Sequence, residues 1–228
     1  MLHEKKNKPL NGKKILINAG PTRESLDPVR FISNHSSGKM GIALADAAAE
    51  YGGDVQLVLG PVDIHPVNSS VIVTNVTNAA EMASECISRF NDCDIAILSA
   101  AVADFTPEQF HPGKIKKDDS NFILKLKPTT DIAFELGKLK KTGQFIAGFA
   151  LETGTGLTEA KSKLLGKNMD IIILNSLKEK GAGFGYDTNS ITIIDRNNNI
   201  DKFELKSKTE VARDILDRIV SMTIIKHE

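Results

Sequence analysis

The chain has 228 residues, enough for one large domain or two small ones with a substantial core. It is 41% hydrophobic and 25% charged, and Lys plus Arg (29) balance Asp plus Glu (29), so the formal net charge is zero. That balance removes the global field that would draw in nucleic acid or a membrane surface. No apolar run approaches the roughly 18 residues of a membrane span, and no signal peptide precedes the first strand. A cytoplasmic protein with neither nucleic acid nor membrane as partner is therefore expected. The cysteines, Cys86 and Cys93, lack metal-ligand company and read as buried, reduced thiols.

Taken in chain order, residues 1–12 are polar and read as a tail or linker remnant. A single domain is expected over 13–228. Short, β-branched, nearly continuous apolar runs then recur: Lys14–Gly20, Val55–Gly60, Val71–Val76, Asp94–Val102, Phe145–Leu151 and Asp170–Ser176. Runs that are apolar on both faces suit parallel strands covered by helices on each side. Helical stretches alternate with them: Lys39–Tyr51, Asn78–Phe90, Thr130–Leu139 and Leu157–Gly166. This βαβα order predicts an α/β fold, a doubly wound, mostly parallel Rossmann-like sheet with helices on both faces. In such sheets sites form at the carboxyl ends of the strands.

Two regions depart from the alternation. Lys114–Pro128 begins basic, turns at "DDSN" and then alternates as "FILKLK", which predicts a solvated antiparallel flap. Gly183–Lys206 reads as a hairpin turning at "RNNN". Both are read as excursions from the main sheet. A last helix over Thr209–Met222 places Val211, Ile215, Ile219 and Met222 on one packing stripe.

The densest polar stretch is "VRFISNHSSGKMG", Val29–Gly41. A glycine-containing loop between a strand and a helix suits phosphate, because the N–H groups at a helix start attract anions. The dinucleotide pattern G-x-G-x-x-G is absent. So is the P-loop pattern, because "SSGKMG" lacks its first glycine and has Met after Lys. Capping by Ser36 or Ser37 explains one serine but leaves Arg30, Asn34 and Lys39 unexplained.

The segments "AGPTRE", "DPVRFISNHSSGKMG", "AAVADF", "KIKK", "GFALET" and "KNMDIIILNS" fall in the order and spacing of the phosphopantothenoylcysteine synthetases. The chain resembles that family from about Lys13 to Met222. The resemblance implies a ligase that condenses 4′-phosphopantothenate with L-cysteine on the route to coenzyme A. The bacterial type uses CTP with Mg²⁺, passes through an acyl-cytidylate and releases CMP and pyrophosphate. It further implies a homodimer, with the flap after Lys114 and the hairpin after Gly183 as candidate contacts. In many bacteria the domain follows a flavin-dependent decarboxylase, so either a stand-alone enzyme or part of a longer chain is expected.

By the same resemblance Asn34 and Lys114 carry catalysis, and Arg30 is added because a guanidinium suits a phosphate or carboxylate. CTP falls to Asp104, Lys114, Thr130, Asp131, Ile132, Ala133, Phe149, Lys163 and Lys167. Phosphopantothenate falls to Asn34, Ser36, Ser37, Gly38, Met40 and Ala101. The chemistry agrees with these residue types. A carboxylate is a poor acylating agent until a nucleotidyl group supplies a leaving group. Bringing it to a triphosphate then demands cationic positioning. The Asn34 amide can donate to an oxyanion and accept from an amine. "TTDIA" departs from the family's "NPDI", and Leu151 stands where alanine is usual. Lys116, Lys117 and His35 receive no role. The alternatives are an NAD(P)- or flavin-binding oxidoreductase on the same fold and a non-catalytic nucleotide-binding module. No Tyr-x-x-x-Lys supports the former: neither Tyr51 nor Tyr186 has Lys four residues on.

Overall fold

The computed structural model describes residues 8–117, 121–152, 156–176, 181, 183 and 185–224. In chain order the elements are β1 (Lys14–Ala19), β2 (Arg23–Ser25), β3 (Phe31–Ser33), α1 (Lys39–Glu50), β4 (Asp54–Leu59) and β5 (Ile72–Asn75). Next come α2 (Ala79–Phe90), β6 (Ile95–Leu98), β7 (Phe105–Pro107), β8 (Leu126–Pro128), α3 (Ile132–Leu139) and β9 (Phe145–Glu152). The chain closes with α4 (Leu157–Gly166), β10 (Ile171–Ser176), β11 (Thr188–Asp195), β12 (Ile200–Ser207) and α5 (Lys208–Ile224).

The main sheet runs β12-β11-β10-β9-β6-β1-β4-β5. It is parallel from β10 to β5, and β11 and β12 pair antiparallel at one end. Chain order reverses at β1: β4 and β5 are added on one side, β6, β9 and β10 on the other. The crevice beyond the carboxyl ends of β1 and β6 is therefore the topological switch point, where such sheets bind ligands.

The strands are apolar on both faces because both are covered. Ile15 and Ile17 of β1 face one core with Leu44, Ala45 and Ala48 of α1 and Val211, Ile215 and Ile219 of α5. Leu16 faces the other, with Met82, Cys86 and Phe90 of α2, Leu136 of α3 and Leu164 of α4. The small residues of α1 let it lie close to the sheet. At Gly41 an added Cβ would sit 2.4 Å from both the Ala19 Cβ and the Ser99 Oγ. Cys86 and Cys93 are buried free thiols, and burial pushes each up to about 12.

Four points depart from expectation. The packed chain starts before Lys13: Leu10 is 1% exposed in the α1-side core, and its N–H donates to the Tyr51 carbonyl. The hairpin around Arg196–Asn199 is no excursion, because β11 pairs with β10 and extends the main sheet. The flap forms a strand only at Leu126–Pro128, paired with Phe105–Pro107, and Asp118–Ser120 of the expected turn lie outside the described residues. The run read as Asp94–Val102 is a sheet strand only to Leu98, beyond which the chain leaves to build the site.

Candidate active site

The segment after β6 is the spine of the crevice. Ser99 donates through N–H and Oγ to the Asn18 carbonyl, and Ala100 N–H donates to Asn18 Oδ1 at 3.0 Å. Ala101 N–H donates to the Gly20 carbonyl, and Ala103 N–H to Thr22 Oγ1 at 3.0 Å. On its other side, Thr129 donates through Oγ1 to the Ala103 carbonyl and through N–H to that of Asp104. One irregular strand thus joins the loop after β1 to the loop entering α3. Asn18, a polar residue inside an otherwise apolar strand, was the available sequence signal for this junction.

Asn34 is fixed to the spine. Its Nδ2 donates to the carbonyls of Ala101 (3.1 Å) and Val102 (3.0 Å). Two carbonyls can be met only by the amide nitrogen, so Oδ1 is the atom left for a ligand. Asn34 therefore presents an acceptor, whereas the sequence reading also had it donating to an oxyanion. Arg30 is engaged as well: Nε and Nη2 bond Asp27 Oδ2, and Nη2 bonds the Ile115 carbonyl at 2.6 Å. Its guanidinium grips the base of the flap, and so positions Lys114, which is exposed. Asp27, missed in the sequence, is 2% exposed. Burial pushes its carboxyl up, but N–H groups of Ile115, Val29 and Arg30 and the Arg30 guanidinium outweigh that and hold it well below the usual carboxylate range.

Ser36, Ser37, Gly38 and Met40 line one wall of the crevice, with Phe149 of β9 and Ser99 across from them. The helix cap expected of the serines is not seen. Gly38, left-handed at φ 73°, is the N-cap of α1 without a side-chain bond, and Ser36 Oγ accepts from the Gly38 N–H. The first turn of α1 thus keeps its free N–H groups toward the crevice. Asn175, Asn189 and Lys208, none foreseen, complete this wall.

The other group of expected residues gathers at α3 and α4. Asp131 caps α3, accepting from the Phe134 N–H at 3.0 Å, and pairs with Lys167 at 2.7 Å. Thr130 is exposed, Ile132 buried and Ala133 partly buried on the α2-side core. Lys163 lies on α4, one turn before Lys167, which is the C-cap of that helix. Asp104 is exposed, and Thr129 ties its backbone to the loop entering α3. The expected residues thus fall into two groups joined by the spine, one at α1 and one at α3–α4.

Residues 10–222 match the model of the DNA/pantothenate metabolism flavoprotein C-terminal domain. A "Cysteine/Cysteine sulfinic acid decarboxylase" of an unknown prokaryotic organism is 59% identical over 94% of this chain. The "Coenzyme A biosynthesis bifunctional protein CoaBC" of Bacillus subtilis (strain 168) is 44% identical over 96% of it. The chain spans only 60% and 54% of those two proteins' lengths. The crystal structure of a CoaBC C-terminal domain superposes with TM-score 0.82 at 37% identity, covering 97% of this chain and 100% of that one. The chain belongs to the family of the DNA/pantothenate metabolism flavoprotein C-terminal domain, the family of the phosphopantothenoylcysteine synthetases.

Proposed function

We propose that the chain is the ligase module that joins 4′-phosphopantothenate to L-cysteine in coenzyme A biosynthesis. CTP activates the carboxylate as an acyl-cytidylate, and CMP and pyrophosphate leave. One observation carries the reading. A single backbone spine, residues 99–104, holds Asn34 on one side and the α3 loop on the other. An acyl group and a nucleotide bound at the two groups would meet on that spine.

In this reading the two groups divide the substrates. Thr130–Ala133 at the amino end of α3 meet the nucleotide, with Lys163, Lys167 and Asp104. Phe149, expected at the nucleotide, lines the α1 crevice across from Ser36, Ser37, Gly38 and Met40, so it meets the cytosine only where the two groups adjoin. Ser36, Ser37, Gly38, Met40 and Ala101 hold phosphopantothenate. Carboxylate and α-phosphorus are then brought together, which supplies most of the catalysis in a reaction between two anions. Lys114 closes from the flap and offsets charge at the α-phosphate as pyrophosphate departs. In the second step the cysteine amine attacks the acyl carbon and CMP leaves. Asn34 Oδ1, an acceptor, orients the attacking N–H. Mg²⁺ would arrive with the triphosphate and neutralise its charge. Asp104 and Asp131 are the carboxylates in the nucleotide group that could bond its waters, and Asp131 is already paired with Lys167.

A homodimer belongs to the same proposal. Phe105, Phe110, Phe122, Ile123 and Leu126 are all exposed, and all lie on β7, β8 or the segment between them. With five such residues against Ile200 and Leu205 on β12, the flap region is the larger exposed apolar group and the face we assign to a second copy. A flavin-dependent decarboxylase, in the same chain or separate, would consume the product. No described helix is long and apolar enough to cross a membrane.

The deciding experiment is mass spectrometry of products from phosphopantothenate, cysteine and each of the four nucleoside triphosphates. CTP is expected to yield phosphopantothenoylcysteine and CMP. Equal turnover with ATP would remove the CTP assignment, and no product with any nucleotide would remove the ligase reading.

A further inference from the structure

α4 ends in a left-handed turn that carries a side chain where glycine is usual. The Asn168 N–H donates to the Leu165 carbonyl and the Met169 N–H to that of Leu164, the pair of bonds that makes a Schellman end. Asn168 sits at its left-handed position, φ 51°. Glycine takes such a turn at the least cost, and asparagine is the occasional substitute. What asparagine adds is an amide, and it is used: Asn168 Nδ2 donates to the Gly137 carbonyl of α3 at 2.9 Å. The Asn168 carbonyl accepts in turn from Lys140 Nζ at 3.2 Å. Lys140, the C-cap of α3, is paired with Asp170 at 2.6 Å, both buried, and Asp170 Oδ2 also accepts from the Ile146 N–H of β9 at 2.8 Å.

These ties hold the backbone of Lys167. α3 passes directly against it: an added Cβ at Gly137 would overlap the Lys167 carbonyl oxygen. The other end of the same side chain meets the other end of the same helix, because the Lys167 ammonium pairs with Asp131, the N-cap of α3, at 2.7 Å. Gly137 is six positions after Asp131, about 9 Å along the helix axis. Lys167 thus lies along α3, its backbone held at Gly137 and its charge at the amino end. A lysine is a point charge on a flexible stem, and ordering such a stem on binding costs affinity. Anchoring the stem beforehand removes part of that cost.

We infer that Asn168 is a positioning residue for the nucleotide: its amide locks the end of α4 to α3, so that the Lys167 ammonium is delivered at the amino end of α3. This rests on the ligase reading above, which gives Lys167 to CTP and leaves Asn168 without a role. Asn168 touches no substrate and acts through Lys167. Lys140 and Asp170 brace it from the side away from Gly137, by holding its carbonyl.

The test is a double-mutant cycle on CTP binding by calorimetry, with the wild type, Asn168→Gly, Lys167→Ala and the double variant. Glycine keeps the left-handed turn and removes only the amide tie, so the fold is retained. Asn168→Gly is expected to weaken CTP binding by about threefold to tenfold, the size of one lost hydrogen bond, and to leave phosphopantothenate binding within about twofold of wild type. In turnover, KM for CTP rises by the same factor while kcat stays, the pattern of lost ground-state binding. In the Lys167→Ala background the same substitution changes CTP binding by less than about twofold, because the charge it places is gone. Gly137→Ala drives the Lys167 carbonyl off α3 from the other side. It should give the same weakening, again only when Lys167 is present, and so reads the tie even if Asn168→Gly fails to fold. Equal losses in both backgrounds, matching losses for CTP and phosphopantothenate, or CTP binding within about twofold of wild type in Asn168→Gly overturn the role of Asn168. Normal CTP binding by Lys167→Ala removes Lys167 from the nucleotide site, and a wild type that binds no CTP overturns the ligase reading beneath; the role of Asn168 falls with either.

Discussion

Arg30 and Asp27 close a ring that also holds the flap. The guanidinium donates to Asp27 Oδ2 through Nε (3.0 Å) and Nη2 (2.6 Å), and Nη2 also reaches the Ile115 carbonyl. The Ile115 N–H returns to Asp27 Oδ2 at 3.1 Å, while Oδ1 accepts from the N–H groups of Val29 and Arg30. The carboxylate is the hub: it fixes the turn of the loop and the residue beside Lys114 at once. The "DPVR" of the sequence is thus a clamp on the flap base.

The first prediction follows from the charge of that hub. The Asp27 carboxyl is held below its ordinary range in the folded chain, so its stabilisation is present above the unfolded value, near 3.9, and is lost as pH falls through the folded one. Asp27→Asn should therefore be less stable than wild type at pH 7. The gap should narrow on acidification below about pH 4. Urea unfolding across that range checks it, and a gap that stays constant with pH would show that the charge of Asp27 does not matter.

The second concerns packing. Gly41 lies where α1 crosses the end of β1, and an added methyl would meet Ala19 Cβ and Ser99 Oγ at 2.4 Å. Ser99 is bonded to the Asn18 carbonyl at 2.7 Å and cannot turn aside without losing that bond. Gly41→Ala should cost about 1–3 kcal/mol despite alanine's better helix propensity, because overpacking outweighs it. Denaturant midpoints measure this directly. A stabilised variant would mean that α1 shifts freely on the sheet.

The third separates catalysis from folding at the flap. Lys114 is exposed and no described bond holds its ammonium, so Lys114→Gln should leave thermal stability within about 0.5 kcal/mol of wild type. If it offsets charge as pyrophosphate leaves, the loss in kcat/KM should correspond to about 2–4 kcal/mol, by analogy with a lost transition-state donor. Near-normal pyrophosphate release in this variant would take Lys114 out of the chemistry.

The parallel strands of the main sheet and its helices were legible because each run is apolar, short and bounded by turn residues, and the crevice at the strand ends follows from that order. β2, β3 and β7 were not. They are three residues each, and "RES", "FIS" and "FTP" carry too few alternations to show a period. The family motifs located Asn34 and Lys167, but not which atoms they offer. That depends on the Ala101 and Val102 carbonyls and on Asp131, brought in from distant parts of the chain. Lys208 was hidden for a different reason. In the sequence it is one more lysine in "FELKSKTE", and only the fold, which brings its ammonium to the Gly183 and Tyr186 carbonyls, buries it.

The last prediction divides the two half-reactions at Asn34. Its Nδ2 is spent on Ala101 and Val102, leaving Oδ1 for the ligand. Asn34→Asp keeps an acceptor but sets an anion against two carbonyls. The loop then loses its tie to the spine, at about 1–3 kcal/mol, though the exposed position lets the chain still fold. Formation of the acyl-cytidylate draws on the cations of the flap and of α4 rather than on the Asn34 amide, and should survive. Attack by the cysteine amine needs the acyl carbon and the N–H placed together against Asn34, and should stall. Labelled phosphopantothenate with CTP, quenched and separated, should then show the cytidylyl adduct accumulating in the variant with or without cysteine. A variant that makes no adduct assigns Asn34 to the first step. One that makes product at the wild-type rate reduces Asn34 to a strut between the loop and residues 101–102.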